Sequence, residues 1–310
     1  MRVVITGGAG FIGSHLVDYY LKAGNQVVVI DSLITGREEN IAQHNGNKKL
    51  ELIKQDVCVT RDILGDVDFV LHFACPASPF DYLKYPIETL RVMSVGTYNM
   101  LELAIKKGAK FFLASTSEVY GDPENHPQKE EYFGNVNVVS PRAVYDEGKR
   151  FAETLTLAYH RKLHTKIGIV RIFNTYGARM RAGDGRVVPT FISEALRNNP
   201  LPIFGDGKQT RSFCYISDMV DAITKAVEVD YPRPINLGNP AEYTVLELAD
   251  RVKRLCSSTS EYRFHPLPES DPKKRRPDIT RAKELLGWEP VIELEQGLKR
   301  LIEWFRRQNG

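Results

Sequence analysis

A short apolar run, Arg2-Val-Val-Ile-Thr6, leads straight into Gly7-Gly-Ala-Gly10-Phe-Ile-Gly13, and that junction restricts the fold more than any other feature of the chain. An apolar strand ending in glycines at this spacing predicts a tight strand-to-helix turn. Gly7 permits the turn, Gly10 lets the backbone approach a ligand, and Gly13 lets the following helix, expected over 14–22, lie close to the sheet. The unpaired N–H groups of that helix favour an anion, so the turn reads as a cradle for a dinucleotide pyrophosphate. A second apolar run, Gln26-Val-Val-Val-Ile30, ends at Asp31, eighteen residues past Gly13. A carboxylate there bonds ribose hydroxyls and repels a 2′-phosphate, which favours NAD over NADP. Arg37, six residues on, is the feature that argues the other way.

Strand-like and helix-like segments alternate through the first half, the pattern of a doubly wound parallel sheet in the α/β class. Strands are predicted over 3–6, 27–31, 50–54, 69–73, 110–115 and 166–173. Asp56, just past the third, stands where it could meet an adenine amino group or cap a helix. The alternation stops beyond Asn174, where segments rich in Gly, Pro and Arg begin. The expected organisation is a dinucleotide-binding domain over 1–174, rejoined by about 212–238, and a smaller C-terminal substrate-binding lobe from about 175–211 and 239–310. A helix over 218–229 and a strand over 235–237 belong to the rejoining segment.

A net charge of +3 and 26% charged residues give no general basis for nucleic-acid binding. The run Lys273-Lys-Arg-Arg276, between Pro272 and Pro277 with Asp271 and Asp278 outside, reads better as a solvated loop or small anion site than as a nuclear or RNA-binding signal. Cys58, Cys75, Cys214 and Cys256 lie far apart without a C-x-x-C pair, so neither zinc nor a disulfide framework is expected, and no metal is called for. No apolar stretch approaches the length of a membrane span, and the first strand starts directly after Met1, leaving no room for a signal peptide or anchor. A reducing cytoplasm is the expected compartment.

The chemistry-bearing residues gather where the predicted strand 110–115 runs into Thr116-Ser-Glu118, at the sheet edge where open α/β folds hold ligands. Tyr145-x-x-x-Lys149 follows, and helical spacing puts phenol and ammonium on one face. A phenol titrates near 10, and its use as a base at neutral pH asks for roughly 4 kcal/mol of stabilisation of the phenolate. Lys149 and the positive ring of NAD are the two cations expected to supply it. Thr116 would hold a substrate oxygen while Tyr145 removes its proton, which is the arrangement for oxidising an alcohol.

The glycine turn, His72-Phe-Ala74, the Thr116 segment and Tyr145-x-x-x-Lys149 resemble the extended short-chain dehydrogenase/reductase family acting on nucleotide sugars, over essentially the whole chain. Longer strings are similar to the branch of that family that decarboxylates UDP-glucuronate. They are Phe73-Ala-Cys-Pro-Ala-Ser-Pro79, Ser115-Thr-Ser-Glu-Val-Tyr-Gly-Asp-Pro123, Pro141-Arg-Ala-Val-Tyr-Asp-Glu-Gly-Lys149, Arg171-Ile-Phe-Asn-Thr-Tyr-Gly177 and Asp184-Gly-Arg-Val-Val188, with Gln209-Thr-Arg-Ser-Phe213, Asn236-Leu-Gly-Asn-Pro240 and Arg276-Pro-Asp278. Sister 4,6-dehydratases carry an Asp-Glu pair where this chain has Ser117-Glu118, and 4-epimerases usually carry a small or hydroxylated residue at the position of Glu118. Serine is a poor acid for expelling a hydroxyl but bonds a carboxylate without repelling it. The two residues together therefore favour decarboxylation, with dehydratase or epimerase as the alternative and a non-catalytic NAD sensor as the reading from another class.

The resemblance implies oxidation at C4 of UDP-glucuronate, loss of the C6 carboxylate as CO2, protonation at C5 and return of the hydride to give UDP-xylose. It implies cofactor contacts from Gly7, Gly10, Phe11, Ile12, Gly13, Asp31, Asp56, Val57, Phe73, Ala74, Tyr145 and Lys149. Substrate contacts are implied for Pro76, Ser117, Asn174, Arg186, Val188, Arg211 and Arg275, with surface ion pairing the alternative for Arg186 and Arg211. Thr116, Ser117, Glu118, Tyr145, Lys149 and Arg275 form the expected catalytic set; Arg275 anchors the carboxylate or relays a proton, and Glu118 assists by polar contact or proton handling. Tyr120, Trp288 and Trp304 are read as packing residues. The chain departs from the family at Met93, where Asn is common, and at Ser32, where Asn often follows the ribose-binding acid. A homodimer is implied through helices around Met100-Leu101 and Leu155-Leu157, although burial within the monomer explains the same residues.

Overall fold

The computed structural model describes residues 1–60, 62–268 and 272–309, so Asp271 lies outside the described residues. The apolar runs of the first half become β1 (Arg2–Thr6), β2 (Gln26–Asp31), β3 (Leu50–Lys54), β4 (Phe69–His72), β5 (Lys110–Thr116) and β6 (Ile167–Ile172). Short strands follow, β7 (Thr175–Tyr176), β8 (Leu201–Phe204), β9 (Thr210–Ser212) and β10 (Cys214–Tyr215), before β11 (Pro234–Leu237) returns to the main sheet. Its order is β11-β6-β5-β4-β1-β2-β3, all neighbours parallel. This is a Rossmann-type sheet. The chain runs outward from β1 through β2 to β3 and then crosses to β4 on the other side of β1. The carboxyl ends of β1 and β4 therefore border the crevice where such sheets bind ligands.

Alternation within the strands fills both faces. Val3 and Ile5 point to one layer with Leu16 and Val17 of α1 (Phe11–Lys22) and Met219 and Ile223 of α7 (Ile216–Glu228). Val4 and Val28 point to the other, against Met100, Leu101 and Leu103 of α4 (Thr97–Lys107) and Ala152 of α5 (Ala143–Leu163). With helices on both faces, central strands have no reason to alternate apolar with polar, and Val3, Val4 and Ile5 are all 0% exposed. Helices α2 (Pro79–Lys84) and α3 (Pro86–Arg91) precede α4, joined to it by a π-turn at 92–96. Helix α1 starts three residues earlier than expected, because extended Gly10 caps it without a side chain and leaves no sequence signal.

A separate apolar core joins α6 (Val187–Leu196), α8 (Val245–Cys256) and α10 (Leu294–Asn309) through Phe191, Ile192, Leu248, Val252, Leu298 and Leu301. Thr244 and Glu247 form a reciprocal capping box at the start of α8. The remaining elements are β12 (Glu242–Thr244), β13 (Tyr262–His265), β14 (Lys274–Arg275) and α9 (Thr280–Leu286). β9 lies between β12 and β14, with Arg211 opposite Arg275. Tyr120, 0% exposed, bonds Asn236 and Arg171, and Trp288 is buried, so both pack as expected, while Trp304 packs partly buried beside Phe305. The four cysteines are free, and no helix among the described residues is long and apolar enough to cross a membrane.

For Met100 and Leu101 the alternative reading, burial within the monomer, holds. Met100 and Leu101 are 0% exposed and belong to the monomer core. The exposed apolar side chains of that region are Val95, Tyr98 and Phe151, which with part-buried Leu155 line a shallow groove between α4 and α5.

Candidate active site

One cavity of about 670 Å³ runs from the glycine turn, past the carboxyl ends of β1, β4 and β5, to the short strands of the second half. At its dinucleotide end Gly7 adopts φ +71, and a Cβ there would stand 2.8 Å from Ala74 N. A Cβ at Gly13 would stand 2.1 Å from Gly7 O, so α1 starts as close to the turn as glycine alone permits. Phe11 and Ile12, in the first turn of α1, line the cavity. Asp31 closes β2 with its carboxylate accepting from Ala9 N (3.0 Å) and Leu33 N (2.9 Å). Burial raises its carboxyl, against the pull of those two N–H groups. Ser32 and Arg37 are exposed.

Asp56 does not cap a helix. Its Oδ1 accepts from Cys58 N at 2.8 Å in a turn that presents Asp56 and Val57 to the cavity. Thr6 ties β1 to β4: its Oγ1 accepts from Phe73 N and Ala74 N, both at 3.1 Å, and lies 2.8 Å from His72 Nδ1. Burial, and then Lys149, push His72 down to about 3, so a neutral imidazole spans Thr6 and Thr97. This fixes the Phe73-Ala74 edge.

Further along the cavity Thr116, the last residue of β5, is hydrogen-bonded to the Tyr145 hydroxyl. Tyr145 is 6% exposed and stacks on Tyr82 with centroids 5.1 Å apart. Met93, in the π-turn, completes this apolar wall and packs against Gly148, where a Cβ would meet its Sδ at 2.3 Å. Lys149 Nζ donates to Ala114 O at 2.7 Å and lies 6.0 Å from the Tyr145 ring centroid. The expectation that Lys149 depresses the phenol is not met by the chain alone. Burial, followed by Cys75, pushes Tyr145 well up, and burial pushes Lys149 down.

Beside Thr116 lies a cluster of charges. Arg275, 1% exposed, donates to Ser117 Oγ (3.1 Å), to Glu118 and to Gly121 O (2.9 Å). Arg142 donates to the other Glu118 oxygen at 2.6 Å. Burial would raise the Glu118 carboxyl, but the charges of Arg275 and Arg142 outweigh it and hold it well below the usual range. The basic run is therefore no uniformly solvated loop, because β14 carries Arg275 inward while Lys273 and Lys274 stay exposed.

The remaining predicted residues also border the cavity. Pro76, Asn174, Val188 and Arg211 line it. Arg186 pairs with fully buried Asp184 and stands over the Phe11 ring at 5.6 Å, so ion pairing and a place in the cavity wall coexist. Sequence reasoning missed Tyr82, Arg142 and Asp146. The last two lay inside the quoted Pro141–Lys149 string, three residues before and one after Tyr145, but nothing in their spacing marks them as partners of Glu118.

A cradle only glycine can form, a carboxylate closing the second strand, and a Thr-Tyr-Lys set built from the end of β5 and the start of α5 define a nucleotide-sugar oxidoreductase-type site. The chain belongs to the NAD dependent epimerase/dehydratase family, whose pattern matches residues 3–238. Within that family it is 53% identical over 308 residues to UDP-glucuronic acid decarboxylase 4 of Arabidopsis thaliana, covering 99% of this chain and 69% of that protein. It is 49% identical to UDP-glucuronic acid decarboxylase 1 of Danio rerio, covering 99% of this chain and 73% of the relative. Among solved structures, a UDP-glucuronic acid 4-epimerase variant from Bacillus cereus, in complex with UDP-4-deoxy-4-fluoro-glucuronic acid and NAD, superposes with a TM-score of 0.90 at 29% identity, covering 99% of this chain and 100% of that one.

Proposed function

We propose that this enzyme decarboxylates UDP-glucuronate to UDP-xylose and CO2 with tightly bound NAD. The observation that carries the reading is buried Arg275 bonded to both Ser117 and Glu118, adjoining the Thr116-Tyr145 pair. A guanidinium beside a serine suits a sugar carboxylate, and the acidic pair needed to expel a hydroxyl is not there. The curated relatives near 50% identity carry the same activity in their names.

The glycine turn, Asp31 and the Phe73-Ala74 edge fit NAD: the close approach that excludes a Cβ at Gly7 and Gly13 leaves backbone where a pyrophosphate needs it, and the Asp31 carboxylate suits free ribose hydroxyls. When bound, NAD supplies reversible hydride acceptance that turns the C4 alcohol into a ketone and back. Tyr145 takes the C4 hydroxyl proton, and Thr116 holds the same oxygen. Once C4 is a ketone the acid is a β-keto acid, and the electrons of the breaking C5–C6 bond move onto the C4 oxygen. Tyr145 and Thr116 stabilise that enolate by hydrogen bonding. Ser117 and Arg275 orient the departing carboxylate, Glu118 holds Arg275 and Arg142 in place, and Lys149 favours the anionic phenol. Asn174, Arg186, Val188 and Arg211 bind the UDP portion, and Pro76 borders the sugar.

The exposed groove of Val95, Tyr98 and Phe151 supports a homodimer through α4 and α5. Four free thiols support a cytoplasmic location. The deciding experiment incubates purified protein with UDP-glucuronate, with and without added NAD, and follows sugar nucleotides by mass spectrometry. UDP-xylose and CO2 without accumulated NADH is the expected result. Conversion of a UDP- or dTDP-hexose, with UDP-glucuronate untouched, would replace the reading by epimerase or dehydratase.

A further inference from the structure

Two segments line the cavity beside the glycine turn, and both are fastened to one side chain that the chemistry proposed above does not use. The first follows Asp31 and contributes Thr35, Gly36 and Asn40; the second follows β7 and contributes Arg179 and Met180. The first meets the glycine turn where Arg37 N and Asn40 Nδ2 both donate to Ala9 O, at 3.0 and 2.8 Å. Further along it reaches Asp18 of α1, whose Oδ1 accepts from Gln43 Nε2 (2.8 Å) and His44 Nε2 (2.7 Å). The second segment takes the other oxygen of the same carboxylate, Arg179 donating to Oδ2 at 2.6 Å. One turn earlier on α1, His15 Nε2 bonds Ala178 O at 3.0 Å, and since a carbonyl only accepts, the ring is the donor.

Two details set Asp18 apart from an ordinary surface ion pair. Burial would raise its carboxyl, but the bonds from His44 and Arg179 outweigh burial and hold it below the usual carboxylate range. Arg179 has φ +70, the left-handed region that a residue with a long side chain rarely adopts, so its contacts hold the second segment in a conformation that costs free energy. We infer that Asp18 is a positioning residue for the cofactor: with one oxygen to each segment, its carboxylate holds both walls of the dinucleotide end against α1 and so slows the departure of NAD. The inference deepens the tight NAD binding proposed above and rests on it. Loss of the carboxylate would free both walls at once, whereas loss of the Arg179 guanidinium would free the second alone.

The test loads the purified enzyme with radiolabelled NAD, dilutes it into an excess of unlabelled NAD and follows the label retained on a filter. Asp18→Ala is the main variant, because alanine is the best helix former and preserves α1. It is expected to release NAD on the order of tenfold faster than wild type. Arg179→Gln is also expected to release it faster, and to add nothing when combined with Asp18→Ala, because the bond it removes is already gone. An unchanged rate in either single variant overturns the proposal. So does an Arg179→Gln effect as large in the Asp18→Ala background as in wild type, which would mean that Arg179 holds the dinucleotide directly. A wild-type enzyme whose label exchanges within the mixing time removes tight NAD binding together with the proposal, whereas slow wild-type exchange with unchanged variants removes the proposal alone.

Discussion

Tyr145 has two hydroxyl-bearing neighbours with different duties: Thr116 hydrogen-bonds its oxygen and Tyr82 covers its ring. Removing the phenolic oxygen removes the proposed base but leaves the stacking. Tyr145→Phe should therefore lower kcat by about 10³ with NAD still retained, and near-normal CO2 release by that variant would contradict the assigned role. Ser117→Asp would place a carboxylate where Arg275 now meets a hydroxyl. Competition with the substrate carboxylate should cut CO2 release at least about tenfold; unchanged release would show that position 117 does not help select the reaction. Asp146 makes a separate prediction for stability. Its carboxyl is raised in the folded state, so its contribution is fully present below the ordinary carboxylate range and is lost as pH rises through about 7. Relative to wild type, the unfolding free energy of Asp146→Asn should gain on the order of 2 kcal/mol between pH 4.5 and 7.5 in urea titrations. Tyr145 and Lys149 were legible because helical spacing puts them on one face, and Thr116 because it closes an apolar strand. Arg142 and Asp146 were not, because their importance depends on where Glu118 places its two oxygens.

At the scale of elements, the turn between β1 and α1 is the least forgiving segment. A methyl at Gly13 would need the space of Gly7 O, 2.1 Å away, so Gly13→Ala must displace the start of α1. The expected outcome is loss of about 2–4 kcal/mol and of co-purifying NAD, read by thermal unfolding and by absorbance of the released dinucleotide. The strands of the first half were legible in the sequence because parallel strands buried on both faces read as unbroken apolar runs, Val27 to Ile30 being the clearest. β9 and β14 were not. They hold three and two residues; β9 is a strand through its pairing with β12 and β14, and β14 through its pairing with β9 across some sixty residues of chain. That pairing, invisible to any local pattern, sets Arg211 opposite Arg275. Met93 follows the same logic: the family departure was visible, whereas its place in a π-turn against Gly148 was not.

For the molecule as a whole, the homodimer proposed through the groove between α4 and α5 makes a prediction. Replacing Tyr98 and Phe151 together by Glu should turn a dimer into a monomer in light scattering, and an unchanged mass would move the interface elsewhere. A different consequence follows from β11, which enters the central sheet beside β6 only after the chain has passed through β7 to β10 and α7. A nascent chain that has reached residue 174 already holds Thr116, Tyr145 and Lys149, yet the backbone of β6 on its outer side has no partner until residues 234–237 emerge from the ribosome. Until then the half-made sheet offers an apolar rim to other chains. The first 174 residues thus carry the Thr-Tyr-Lys set but neither Arg275 nor the strand that covers β6, and a gene cut at that point should yield aggregate in place of a small NAD-binding module.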